Sequence, residues 1–240
     1  MESPMLSRPS WSSLLDPLLL LFSVVCLSLG LWMAFFYAPL LRHTGLPWWS
    51  QKIFYIHLPA AWGGLSGMLL VLIGSIAYLN TRNERWDAFA VGAAEVCFLY
   101  GTIVMSTGPL WARPSWNTYW KWEDPRLMSF LALWLVLAAY FVFRRYGGRG
   151  HQVRVAAAAL GIVGAISVPF VYLSVKLGRS LHPMLKVDEI DSRVRLTLWV
   201  CNFAFFFLFV FLMRWRRQLE LQRNQIDYLH RQIDEAQYPA

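Results

Sequence analysis

Six apolar runs, each long enough to cross about 30 Å of hydrocarbon, restrict the fold of this 240-residue sequence more than any other feature. They cover roughly residues 17–38, 53–79, 88–110, 127–143, 155–175 and 196–213, and Glu95 is the one charge inside them. Backbone N–H and C=O groups find no water in lipid, so such runs must close their hydrogen bonds internally as helices. The expected fold is therefore an all-α integral membrane protein, a six-transmembrane-helix bundle over residues 1–213. The first run reads as a true span, because it lacks a basic leader and carries Phe35-Phe36-Tyr37 where a signal peptide would have small residues. Residues 214–240 read as an amphipathic helical tail, with Leu219, Ile226 and Ile233 seven apart and Leu229 on the neighbouring line.

A composition of 57% hydrophobic and 15% charged residues, with mean hydropathy +0.41, excludes an ordinary soluble domain, where the figures are about 45–50% and 25%. The net charge of +8 is then a topology signal rather than a sign of nucleic-acid binding. With the N-terminus inside, cations divide almost evenly between the two faces. They concentrate, however, in the short loop from Arg144 to Arg154 and directly after the sixth run, where the positive-inside rule weighs most. The expected orientation is N-in and C-in.

Cys26, Cys97 and Cys201 stand singly in apolar runs, without the pairing needed for zinc or covalent haem attachment. No glycine-rich phosphate loop occurs, so any nucleotide hydrolysis belongs to a partner. Gly63 and Gly67 form a small-xxx-small pair on the second run, a pattern that permits close helix approach but is common by chance.

Parity of membrane crossings joins three distant features whichever way up the chain sits. His57 opens the second run, the 111–126 loop lies two crossings later, and the 176–195 loop with His182 lies two beyond that. All three face one compartment, with His43, whereas His151 and His230 fall on the other. The 111–126 loop carries Trp111, Trp116, Tyr119, Trp120 and Trp122 within twelve residues, then Glu123, Asp124 and Arg126. Such rings can form an ordinary interfacial belt, or a flat platform for a planar apolar ligand. Two histidines flanking them favour haem, since neutral imidazoles are standard axial ligands and Arg126 can neutralise a propionate.

The string Trp116-Asn117-Thr118-Tyr119-Trp120-Lys121-Trp122-Glu123-Asp124-Pro125-Arg126 resembles the tryptophan-rich WWD signature of membrane haem-handling proteins in cytochrome c assembly. With Thr107-Gly108-Pro109-Leu110-Trp111-Ala112-Arg113-Pro114 and His57-Leu58-Pro59-Ala60-Ala61, the chain from about 17 to 213 resembles in particular the CcmC haem-delivery family. The resemblance implies His57 and His182 as axial ligands to non-covalent, transiently held haem b on the extracytoplasmic face of the bacterial inner membrane. It implies an aromatic platform of Trp111, Trp116, Tyr119, Trp120 and Trp122, with Asp124 in the acidic signature position and Arg126 on a propionate. It further implies delivery to the haem chaperone CcmE beside the ABC subunits CcmA and CcmB and the small subunit CcmD, and no enzymatic activity. Three positions depart from the pattern: Asn117 replaces the usual glycine, Tyr119 replaces an aromatic that is often Trp, and Glu123 adds a residue before Asp124. Asparagine tolerates the left-handed conformation that glycine permits, and Asp124 restores the downstream spacing.

Other functions remain to be separated. A b-type cytochrome would carry histidines near the centre of its spans, and none is found there. A permease for another substrate could use Glu95, for which the sequence offers no obvious intramembrane cation. A larger haem-attaching relative would have more spans.

Overall fold

The computed structural model describes residues 12–40, 47–148, 150–177, 180–181 and 190–237. His43 and His182 lie outside the described residues. Six helices long and apolar enough to cross a membrane make up the chain, and no strand occurs among the described residues. They are α1 (Ser12–Trp32, extended by a π-turn through Met33–Tyr37), α2 (Trp48–Thr81), α3 (Glu84–Trp116), α4 (Pro125–Tyr146), α5 (His151–Leu177) and α6 (Ser192–Gln237).

The hydrophobic runs located every helix but understated its length, because helices extend past the apolar stretch wherever polar ends are capped. Asn83 caps α3 by accepting the Arg85 N–H at 2.9 Å, and Asp124 caps α4 by accepting from Arg126 and Leu127 with Pro125 in the first turn. Pro109 and Pro114 lie inside α3 without ending it. Each removes one backbone donor, which a packed membrane helix tolerates. As a consequence Trp111 and Trp116 belong to α3 rather than to a loop, which corrects the sequence-based placement. α6 passes its apolar run without a break, and its 46 residues span roughly 69 Å at 1.5 Å per residue. The expected tail helix is thus a direct continuation of the sixth span.

The core lies where α2 packs along α3, with α5 and α6 against them, α1 on α6, and α4 on α5. Small residues set the closeness of these contacts. A Cβ on Gly63 would lie 2.9 Å from the Tyr100 ring, and one on Gly67 would lie 2.6 Å from Phe209 and 2.7 Å from Cys97 Sγ. The small-xxx-small pair is therefore a packing seam. Tyr100 is fully buried there and donates its hydroxyl to the Phe205 carbonyl at 2.6 Å. At Gly92 the obstacle is backbone: a Cβ would stand 2.7 Å from the Met213 carbonyl oxygen of α6. No rotamer change relieves that contact, so Gly92→Leu is expected to destabilise the bundle by about 1–3 kcal/mol. Thermal unfolding of the detergent-solubilised protein checks this, with Gly150→Ala, where nothing lies within 4 Å, expected to match the parent.

Ion pairs fasten the end where α2 finishes and α3 begins. Asp87, 3% exposed, receives two bonds from Arg144 at 2.7 and 2.9 Å, and Arg144 also reaches Glu220 at 3.2 Å. Arg154 pairs with Glu84 and lies 3.6 Å from Asp87. Glu95 is paired with Arg216, one of whose two bonds is 2.6 Å long. That corrects the expectation that Glu95 lacks a cation. Because α6 continues helically beyond residue 213, its arginine comes level with Glu95 on α3.

Candidate functional site

At the opposite end, α2, α3, α4, α5 and the 117–124 turn enclose a cavity of about 340 Å³. His57, Trp111, Trp116, Tyr119, Trp120 and Arg126 all line it. Six of the nine residues singled out from the sequence therefore converge on one space, although they come from two separate parts of the chain. His151 lies at the other end, with its Nδ1 3.2 Å from the Tyr78 hydroxyl, and His230 sits on the α6 extension.

His57 stands ten residues into α2, where the helix and its neighbour α3 fix the ring. Its Nδ1 is 2.9 Å from Thr107 Oγ1, and Thr107 donates its single hydroxyl proton to the Ile103 carbonyl at 2.7 Å. The hydroxyl oxygen can then only accept, so Nδ1 carries a proton, and in the neutral ring Nε2 carries the lone pair. A Cβ on Gly108 would lie 3.5 Å from His57 Cε1, which places the ring beside this position of α3. Thr107 thus selects one tautomer of the neutral ring and α3 holds its position.

The aromatic wall is built by α3 and the turn after it. Trp111 and Trp116 meet edge to face at 5.3 Å on the last turns of α3. Asn117 ends the helix in the left-handed conformation at φ 57°, as expected of a residue standing in for glycine. Arg113 holds the turn by donating to the Asn117 backbone carbonyl at 2.7 Å and to its side-chain oxygen at 2.8 Å, and it stacks over the Tyr119 ring. Trp120 reaches the cavity, and its buried Nε1–H has no acceptor among the described residues.

Trp122 and Asp124 do not line the cavity. Trp122 is 67% exposed beside Trp120. Asp124 is fully buried and acts as a clamp. Besides capping α4, its carboxylate accepts from the Ser180 hydroxyl at 3.0 and 2.9 Å and from the Leu181 N–H at 2.8 Å. The residues immediately before His182 are thereby tied to the turn that carries Trp120. Burial alone would raise the Asp124 carboxyl. The hydrogen bonds from Leu181, Leu127, Ser180 and Arg126 outweigh it and hold the group below the usual carboxylate range.

Sequence reasoning missed Thr107, Phe54, Trp62, Phe130 and Tyr172, which also face the cavity or orient His57. The helical spacing of Phe54 and Ala61 about His57 was a usable signal for α2. Tyr172 had none, since only the packing of α5 brings it there.

The polar groups on this largely apolar space include the His57 imidazole, the Trp120 indole N–H, which has no acceptor among the described residues, and the Arg126 guanidinium, which makes no ion pair among the described residues. They suit a flat apolar molecule with a coordinating centre and an anionic edge. The chain also matches the profile of the heme exporter protein C (CcmC) family over residues 5–232. It belongs to that family. It is 34% identical to heme exporter protein C of Bradyrhizobium diazoefficiens over 182 residues, 74% of this chain and 67% of the relative. Against heme exporter protein C of Escherichia coli K12 the identity is 32% over 219 residues, covering 87% and 85%. The protein of that name from Rhodobacter capsulatus is 27% identical over 221 residues, covering 88% and 89%. The residues matched to the family profile include the 116–126 string.

Proposed function

We propose that this CcmC-family protein takes haem b as its cargo, holding it non-covalently in the aromatic cavity and surrendering it to the chaperone CcmE during cytochrome c maturation. The convergence of His57 with the aromatic wall and Arg126 on one space carries this reading. His57 supplies one axial nitrogen and His182 the other. Trp111, Trp116, Tyr119 and Trp120 cover the porphyrin, while Arg126 and Trp120 Nε1–H face its propionates. Trp122 extends the aromatic surface at the exposed rim, where a partner would approach. Asp124 is a positioning residue that keeps residues 180–181, which precede His182 in the sequence, against the turn. In the N-in, C-in orientation the cavity opens outside the bacterial cytoplasmic membrane, and CcmA, CcmB and CcmD are the companions in the same assembly. The protein's own residues bind, orient and shield; they make and break no covalent bond, so the role is delivery rather than catalysis.

The Thr107 hydroxyl gives this reading a fine test. Thr107→Val keeps the side-chain shape but removes the acceptor that sets the His57 tautomer. Haem affinity is expected to fall by about tenfold, the effect of losing an outer partner of a metal-bound histidine. A haem titration followed by absorbance checks it, and an unchanged affinity would remove His57 Nε2 from the assignment.

A further inference from the structure

The ion-paired end of the bundle encloses a second cavity, of about 310 Å³, between α3, α4, α5 and α6. Its walls carry Arg144, Arg145, Arg154 and Arg223 together with Glu95 and Glu220. Both acids are engaged, Glu95 by Arg216 and Glu220 by Arg144. Arg144 and Arg154 are engaged in turn by Asp87 and Glu84. Arg145 and Arg223 are exposed and make no ion pair or hydrogen bond among the described residues.

Asn224 adds a third donor. Arg154 Nη2 donates to its Oδ1 at 3.2 Å, and since arginine offers no acceptor, that bond fixes which way the amide faces. Nδ2 is therefore turned away from Arg154, buried, and without an acceptor among the described residues. What the cavity has left over is two positive forks and an amide N–H, with every carboxylate already neutralised. The nearby exposed Phe143 and Tyr146 place its edge at the boundary between apolar span and polar surface.

We propose that this cavity binds an oxyanion of the phosphate class, gripped by Arg145 and Arg223 with Asn224 beneath. Planar guanidinium groups match phosphate oxygens two at a time, which a point charge does not. The phosphate is supplied either by the headgroup of an anionic phospholipid or by soluble phosphate. The site is independent of the haem cavity and does not rest on it.

The test uses the full chain in detergent, with Arg145→Gln/Arg223→Gln as the variant and Arg85→Gln, an exposed arginine at the same end, as the control. Native mass spectrometry measures retention of added phosphatidylglycerol against phosphatidylcholine with the same acyl chains. Thermal unfolding in inorganic phosphate against chloride at matched ionic strength measures the soluble source. For a lipid source, phosphatidylglycerol retention falls by about tenfold or more in the double variant and not in the control, as expected for losing two arginines at the surface. For a soluble source, inorganic phosphate raises the unfolding temperature of the parent and of the control but not of the double variant. If neither probe separates the parent from the double variant, or if Arg85→Gln loses as much, the proposal is overturned.

Discussion

His57→Ala is expected to lower the haem content of the purified protein by about tenfold or more, since losing a ligand should exceed the cost of losing a ligand's outer partner. His57 is the one described histidine lining the aromatic cavity, and its Nδ1 contact with Thr107 leaves Nε2, in the neutral ring, as the nitrogen with a lone pair. The remaining haem is expected to lose its six-coordinate low-spin spectrum, because a single histidine then holds the iron. His151→Ala should leave both content and spectrum unchanged, its ring being engaged with Tyr78 at the far end of the bundle. Imidazole added to His57→Gly should restore the low-spin form by filling the space left by the side chain. Equal haem content in the His57 and His151 variants would contradict the ligand assignment. Those comparisons need only pigment quantitation and an absorbance spectrum.

Asp124→Asn is expected to separate haem affinity from ligation. The amide cannot accept from all the groups that now donate to the carboxylate, so at least one buried N–H or hydroxyl among Leu181, Ser180, Arg126 and Leu127 loses its partner. A hydrogen bond to a charged group contributes about 1.5–3 kcal/mol, so the clamp on residues 180–181 should open in a large share of molecules. Haem held through His57 should remain, but with an increased high-spin fraction. Trp122→Ala, which removes an exposed ring outside the cavity, should leave the spin state alone. The clamp should also answer to acid. Because the folded carboxyl sits below its ordinary value of about 3.9, its stabilisation is complete above that pH and disappears as the pH falls through the lower folded value. An acid titration of the haem spectrum should therefore show a low-pH transition in the parent that Asp124→Asn has already undergone at neutral pH. A neutral-pH spectrum indistinguishable from the parent would remove Asp124 from any positioning role.

The bundle was legible because its signal is one-dimensional: a run of apolar residues must become a helix in lipid, and crossings must alternate sides. Parity brought His57 and the aromatic segment to one end and His151 to the other without any contact being known. Asn117 was legible too, because its role depends on its own backbone conformation. What escaped depends on register between helices. Glu95 finds Arg216 across 121 residues only because α6 runs on past its apolar stretch at the height of α3. Asp124 meets Ser180 across 56 residues, a contact set by how α4 and α5 pack, so a signature position that invites a ligand-binding role proves to be a clamp between two segments. Trp111 and Trp116 were placed in a loop because the apolar run ends at residue 110, whereas α3 continues past Pro109 and Pro114 as far as Trp116.

The account rests most heavily on two imidazoles sharing one iron. Electron paramagnetic resonance of the oxidised, haem-loaded protein, recorded for the parent and for His57→Ala and His182→Ala, addresses that claim most directly. The parent should give the low-spin signal of bis-histidine haem, and each variant should convert it to a high-spin signal. A parent spectrum that is high-spin, or a low-spin signal that survives both substitutions, would contradict the account.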